Sequence, residues 1–149
     1  MRAVVQRVKM ARVSVADRVT GEIGGGLLVF VAVGRGDTPR DAAYVAEKVT
    51  GLRVFPDAEG RMNLSVKDLG LGVLAVSQFT LYGDVRKGRR PSFTQSEDPE
   101  RAKALFYRFV DFINEQGVPV QTGEFQAMME VQLINDGPVT ILIDSEKTF

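Results

Sequence analysis

Leu27-Leu28-Val29-Phe30-Val31-Ala32-Val33 is the longest apolar run in the chain, and the fold is read outward from it. It is far short of the ~20 residues that span a bilayer, but it has the length of a strand buried on both faces. Upstream, Arg2–Val8 carries Val4 and Val5 between polar residues and reads as a strand. Arg12–Ala16 alternates with Val13 and Val15 on one face, and Asp17-Arg18 turns it into Val19–Ile23, which predicts a hairpin. The triplet Gly24-Gly25-Gly26 raises the question of a phosphate loop. No Lys-Ser/Thr follows it and a strand rather than a helix comes next, so a turn is the better reading.

Downstream, Thr38 is a suitable N-cap, Pro39 occupies the first helical position and Asp41 sits three residues after the cap. Ala42, Val45, Ala46, Val49 and Leu52 then recur at helical spacing, so one face packs on the sheet. Leu52–Phe55 reads as a short strand, Pro56–Gly60 as a turn and Gly72–Leu81 as a strand. A long connection over Tyr82–Ser96 leads to Asp98 and Pro99, which open a second helix. Its stripe is Ala102, Leu105, Phe106, Phe109, Phe112 and Ile113, and Gly117 ends it. Val118–Thr122, Met128–Ile134 and Val139–Ile143 read as strands, with Asn135-Asp136-Gly137-Pro138 a turn between the last two. Seven or eight strands with two main helices, in no regular βαβ order, predict an α+β fold. The sheet is expected to be mixed or antiparallel and barrel-like, in a single domain spanning residues 1–149.

Composition narrows the chemistry. A chain of 149 residues, 44% hydrophobic and 26% charged, suits one globular domain. At this length about 68–70% of the unfolded chain's surface is buried, so neither disulfide nor metal is required for folding. There is no cysteine and no histidine. A disulfide framework, thiol catalysis and a Ser-His-Asp triad are therefore excluded, and a structural zinc site lacks both of its usual ligand types. Catalysis would have to use hydroxyls, carboxylates, lysine, backbone dipoles or the substrate itself. No metal or cofactor is expected. Met1-Arg2-Ala3-Val4-Val5 has no signal-peptide pattern, and a cytoplasmic location is expected, away from membranes. The 19 basic and 19 acidic residues give zero net charge, so nucleic-acid binding would have to rest on local patches.

Three segments could carry function. Ser77-Gln78-Phe79-Thr80 places polar residues at the end of the apolar Val73–Val76. That is what a strand emerging into water would show. It is also what a site at a strand terminus would show, where the N–H groups of Phe79 and Thr80 lose their ladder partners and can face a developing oxyanion. Gln78 could orient a substrate carbonyl or ribose. The Thr80 hydroxyl, with no histidine to activate it, is a poor nucleophile. Gly137-Pro138 fits a plain turn. Arg86-Lys87-Gly88-Arg89-Arg90 concentrates four positive charges beside Tyr82 and Phe93. It fits either a solvated loop or phosphate contact. Arg7, Lys9 and Arg12 make a smaller basic group, and Asp57, Glu59 and Asp68 read as solvated turn carboxylates.

Ser77-Gln78-Phe79-Thr80-Leu81 and Asn135-Asp136-Gly137-Pro138-Val139-Thr140 resemble the two signatures of the D-aminoacyl-tRNA deacylases. The resemblance extends through Gln6-Arg7-Val8, Thr20–Gly24, Phe55–Asn63, Arg90-Pro91-Ser92-Phe93 and Gln121-Thr122-Gly123, nearly end to end. It implies a homodimer with the active site at the subunit interface. The reaction implied is hydrolysis of the ester between a D-amino acid, or mischarged glycine, and tRNA. Ser77, Gln78, Phe79 and Thr80 would line the pocket around that ester as the catalytic set, with Thr80 the nucleophile in one version. Gly137 and Pro138 would be a cis dipeptide inserted into the partner's pocket to enforce chirality. Arg86, Lys87, Arg89 and Arg90 would contact the tRNA. The alternatives on residues alone are a non-catalytic RNA-binding module and a hydrolase of small esters or amides.

Overall fold

The strand β1 (Arg2–Val15) organises the sheet. The computed structural model describes residues 1–149. The sequence predicts separate strands at Arg2–Val8 and Arg12–Ala16, whereas the backbone runs through both. The interruption at Lys9-Met10 is absorbed by register shifts against the last strand, between Gln6 and Val8 and again between Val8 and Met10. An irregularity of this kind bends a strand and lets it serve two cores. Ala3 and Val5 enter a large core beneath the helices, while Val8, Ala11 and Val13 enter a smaller second cluster.

One edge of β1 is shared. Its first half pairs antiparallel with β3 (Gly26–Ala32), and its second half with β2 (Arg18–Ile23). The apolar run is therefore central, as expected. Leu27, Val29 and Val31 belong to the large core, and Leu28 belongs to the smaller one with Phe30 packed against it. The helix α1 (Pro39–Gly51) covers the large core with Ala42, Val45, Ala46 and Val49. Its first turn is closed by Asp41 Oδ2, which accepts from the Thr38 N–H and hydroxyl, both at 2.8 Å. The segment predicted as a strand at Leu52–Phe55 pairs only at Phe55–Pro56 (β4), with Met62–Leu64 (β5). Asp57 holds the turn between them by accepting from the Glu59 and Arg61 N–H groups at 3.0 and 2.9 Å. It is therefore a structural cap rather than a free solvated carboxylate.

β6 (Gly72–Ser77) lies parallel to β3, and β7 (Val120–Thr122) lies parallel to β6, so the sheet is mixed. Between them α2 (Pro99–Glu115) buries Leu105, Phe106, Phe109, Val110 and Ile113 against α1 and the sheet. Beyond β7 the sheet nearly closes, because β2 leans onto it: the Glu22 N–H donates to Gln121 Oε1 at 3.2 Å. The last strand, β8 (Glu130–Asp144), pairs along the free edge of β1 from Ser14↔Glu130 to Arg2↔Asp144. It replaces the two strands and intervening turn predicted from the sequence. No helix is long and apolar enough to cross a membrane.

Near the start of the parallel pair a residue without a side chain is required. A Cβ on Gly26 would stand 2.2 Å from the Gly72 carbonyl oxygen, backbone that cannot yield without moving β6. Gly26→Ala is expected to lose about 1–3 kcal/mol, the ordinary range for overpacking. Denaturant unfolding of the two proteins checks this; equal midpoints would mean that β3 and β6 separate freely at this end.

Candidate active site

β6 delivers Ser77 opposite Val31, and the Gln78 N–H still donates to the Val31 carbonyl at 2.8 Å. The strand predicted to reach Leu81 then stops. Phe79–Tyr82 forms a single 3₁₀ turn, closed by the Leu81 N–H donating to the Gln78 carbonyl at 3.3 Å and the Gly83 N–H to the Thr80 carbonyl at 2.9 Å. A turn of this type leaves its first N–H groups without partners inside it. Those groups belong to Phe79 and Thr80, and neither bonds to another backbone carbonyl. The Phe79 carbonyl accepts from the Ser96 hydroxyl at 3.1 Å, which fixes the turn against the following connection. The Phe79 ring, 57% exposed, meets Phe93 edge-on at 5.0 Å.

These residues form one wall of a cleft of about 720 Å³. Its other walls come from Phe30 and Val31 of β3, Ala102 and Phe106 of α2, and the loop Phe125–Met129. That loop was not anticipated: Met128 and Met129 read as the start of a strand, but β8 begins at Glu130 and Met128 is 91% exposed at the mouth. No motif marks the loop. The one hint is Phe125, an aromatic residue isolated among polar and small neighbours. Glu97 also lines the cleft. The Asp98 N–H holds its carboxyl below the usual value, outweighing burial, and Arg101 at 3.5 Å assists, so it is an anion at neutral pH. The Thr80 hydroxyl makes no hydrogen bond to any side chain or carbonyl of the chain. The turn at the wall of this mostly apolar cleft therefore carries two amide donors with no partner in the chain and an unactivated hydroxyl. Such a site can stabilise an anion developing on a bound carbonyl. No three carboxylates are grouped as a metal site would need.

The other predicted residues lie elsewhere. Gly137 and Pro138 are exposed, joined by a cis peptide bond and placed within β8, and they do not line the cleft of their own chain. They form a bulge: Val8 pairs with Asn135 and Gln6 with Thr140, so four residues are looped out opposite Arg7. Arg7 Nε donates to the Asp136 carbonyl at 2.8 Å. Gly137 has φ +143°, and a Cβ there would lie 2.8 Å from Val139 Cγ2 and 3.1 Å from Arg7 Nη2. In the basic loop, Arg86 is engaged with Asp84 through contacts of 2.9 and 2.6 Å, which hold the Asp84 carboxyl far below its ordinary value. Lys87, Arg89 and Arg90 are exposed. The Asp84↔Ser92 bridge pins the neck of this loop. Arg86 also lines a separate polar cavity of about 370 Å³ with Arg2, Arg35 and Tyr82.

The chain is similar to known proteins over nearly its whole length. The family model described as D-Tyr-tRNA(Tyr) deacylase matches residues 4–144. The D-aminoacyl-tRNA deacylase of Symbiobacterium thermophilum is 60% identical over 149 residues, covering 100% of this chain and 99% of that one. The D-aminoacyl-tRNA deacylase of Thermotoga petrophila is 58% identical over the full length of both. Among solved structures, a c-Myc DNA unwinding element binding protein superposes with a TM-score of 0.90 at 36% identity, covering 97% of this chain and 98% of that chain. A probable eukaryotic D-amino acid tRNA deacylase shares the fold, with a TM-score of 0.80 at 21% identity over 95% of this chain and 97% of that chain. With a family match from Val4 to Asp144 and relatives 58% and 60% identical over the whole chain, this chain belongs to the D-Tyr-tRNA deacylase family.

Proposed function

We propose that this protein hydrolyses the ester linking a D-amino acid, or mischarged glycine, to the terminal ribose of tRNA, in the cytoplasm and as a homodimer. The observation that carries the proposal is the pair of unpartnered N–H groups on Phe79 and Thr80 at the wall of the 720 Å³ cleft. The volume falls within the range of about 300–1,000 Å³ typical of ligand clefts. It suits an aminoacylated terminal nucleoside, not the body of a tRNA.

Water attacks the ester carbonyl, the oxyanion forms against the two amide donors, and the ribose oxygen leaves. The neighbouring ribose hydroxyl orients or activates the water; the cleft has no histidine for that task, and its one carboxylate, Glu97, is engaged with the Asp98 N–H and Arg101. Gln78 orients the ester from the same wall. Chirality is enforced by the Gly137-Pro138 bulge of the partner subunit. Its carbonyls receive the substrate ammonium, and an L side chain is directed into its backbone while a D side chain points to open space. Rejection by clash is needed because L and D residues offer the same groups for attraction. Glycine has nothing to exclude and passes the filter. The separation of Gly137-Pro138 from the cleft of its own chain supports this division between subunits. Lys87, Arg89 and Arg90 take tRNA phosphates, with Arg86 bound to Asp84 as the anchor of their loop.

Pure protein with chelator, given matched D-Tyr-tRNA and L-Tyr-tRNA, is expected to release only the D-amino acid. Equal loss of both esters would refute the filter, and binding without hydrolysis would leave an RNA-binding module. Thr80→Ala is expected to keep single-turnover rates within about tenfold, whereas loss of an obligatory nucleophile costs on the order of 10⁴–10⁶-fold. A loss of that size with normal tRNA binding would make Thr80 the nucleophile. Replacing Lys87, Arg89 and Arg90 by Ala should raise KM for tRNA. It should also flatten the salt dependence by about one unit of slope per lost phosphate contact. An unchanged slope would remove the loop from the tRNA path.

A further inference from the structure

The bulge in β8 leaves backbone groups that β1 cannot reach, because a single residue, Arg7, faces four of the opposite strand. Buried or half-buried N–H and C=O groups must find partners somewhere. At the far foot of the bulge the partner is a side chain. Asn135 Oδ1 accepts the Val139 N–H at 2.7 Å, and Asn135 Nδ2 donates to the Val139 carbonyl at 3.1 Å. The same nitrogen lies 3.4 Å from Thr140 Oγ1, which also accepts from Gln6 Nε2 at 3.2 Å. The carboxamide thus bonds both the donor and the acceptor of one residue, as a neighbouring strand would. Val139 itself is only 6% exposed, so this foot is fixed by packing as well as by hydrogen bonds.

We propose that Asn135 is a specificity-determining positioning residue: by standing in for the missing strand at Val139, it fixes the direction in which the Gly137 and Pro138 carbonyls point, and so sets the preference for D over L. The proposal rests on the reading of Gly137-Pro138 as the chiral wall. The side-chain chemistry is restrictive. A carboxamide supplies an acceptor and a donor on one planar group at this reach. Aspartate keeps an acceptor for the Val139 N–H but sets a second oxygen against the Val139 carbonyl. Alanine supplies neither. With the clamp gone, Arg7 still tethers the near foot at Asp136 and packing still seats the Val139 side chain, but no hydrogen bond fixes the Val139 peptide groups, so the backbone of Gly137 and Pro138 between the two feet can rotate. A wall that swings still admits the D ester but no longer excludes the L ester.

The test compares wild type, Asn135→Ala, Asn135→Asp and Gly137→Ala on matched D-Tyr-tRNA and L-Tyr-tRNA, with thermal unfolding of each protein. Asn135→Ala is expected to lower the D-over-L ratio of kcat/KM by at least about tenfold, chiefly through faster loss of the L ester, and Asn135→Asp by about threefold or more. A purely structural role would slow both esters together and leave the ratio unchanged, which overturns the proposal. Should Asn135→Ala fail to fold, Asn135→Asp decides, since it loses both donations from Nδ2; a ratio equal to that of wild type overturns the proposal. A changed ratio in Gly137→Ala with an unchanged one in the Asn135 variants keeps the wall and removes the clamp. Unchanged ratios in all three, with wild type still selective, remove the wall and the clamp with it. Should wild type hydrolyse neither ester, the deacylase reading itself fails, and the clamp has no selectivity to set.

Discussion

The parallel ladder between β3 and β6 is the constraint on which the cleft depends. It runs from Gly26↔Gly72 to Val31↔Ser77 and sets how far β6 extends before its last residues leave the sheet. Parallel strands of this kind need cover on both faces. Here α1 and α2 cover one face, and the smaller cluster around Leu28, Leu74 and Val76 fills the other. Apolar packing holds the ladder, and the Gln78 N–H on the Val31 carbonyl is its last rung. The backbone is released immediately beyond that rung, so the free N–H groups of Phe79 and Thr80 are attached directly to a largely buried, hydrogen-bonded ladder. Preorganised donors need such a base, because a dipole that must reorient during a reaction forfeits much of its effect.

A second constraint arises from unequal strand lengths. β1 and β8 pair over nearly the whole of β1, yet β8 carries more residues between its paired ends than β1 can match. The surplus is expelled at Asp136–Val139, where side chains from Arg7 and Asn135 occupy hydrogen-bonding positions that a regular strand would fill with backbone. The 3₁₀ turn and the bulge therefore have different mechanical bases. One hangs from a buried parallel ladder, and the other projects from a bulge on the edge strand.

Much of this was legible in the residues. The uninterrupted Leu27–Val33 could only be a strand covered on both sides, and the two helices announced themselves through Thr38-Pro39 and Asp98-Pro99 and their apolar stripes. The polar segment Ser77–Thr80 stood out because it ends so apolar a strand. The failures have a common cause. Lys9-Met10 and Asn135–Pro138 carry the local marks of a break, but pairing over more than a hundred residues of separation overrode them and turned both breaks into irregularities within continuous strands. Similarly, Phe79–Leu81 has β-forming residues but curls into a 3₁₀ turn, because beyond Val31 the backbone it would pair with is taken by Gln95–Glu97: the Val33 carbonyl accepts from the Glu97 N–H and the Arg35 N–H donates to the Gln95 carbonyl. The wall at Phe125–Met129 was invisible, since its role depends on where β7 and β8 place it, not on its own composition.

The pairing of Arg2 with Asp144 also orders events in time. β1 finds its partner along one entire edge only once β8, more than a hundred residues later in the chain, has been made. Until then that edge of β1 is an unpaired row of amides and carbonyls on a nascent chain, the kind of surface on which neighbouring chains associate. Completion of the sheet thus waits on β8. The strand that completes it, β8, is also the one that carries Gly137 and Pro138.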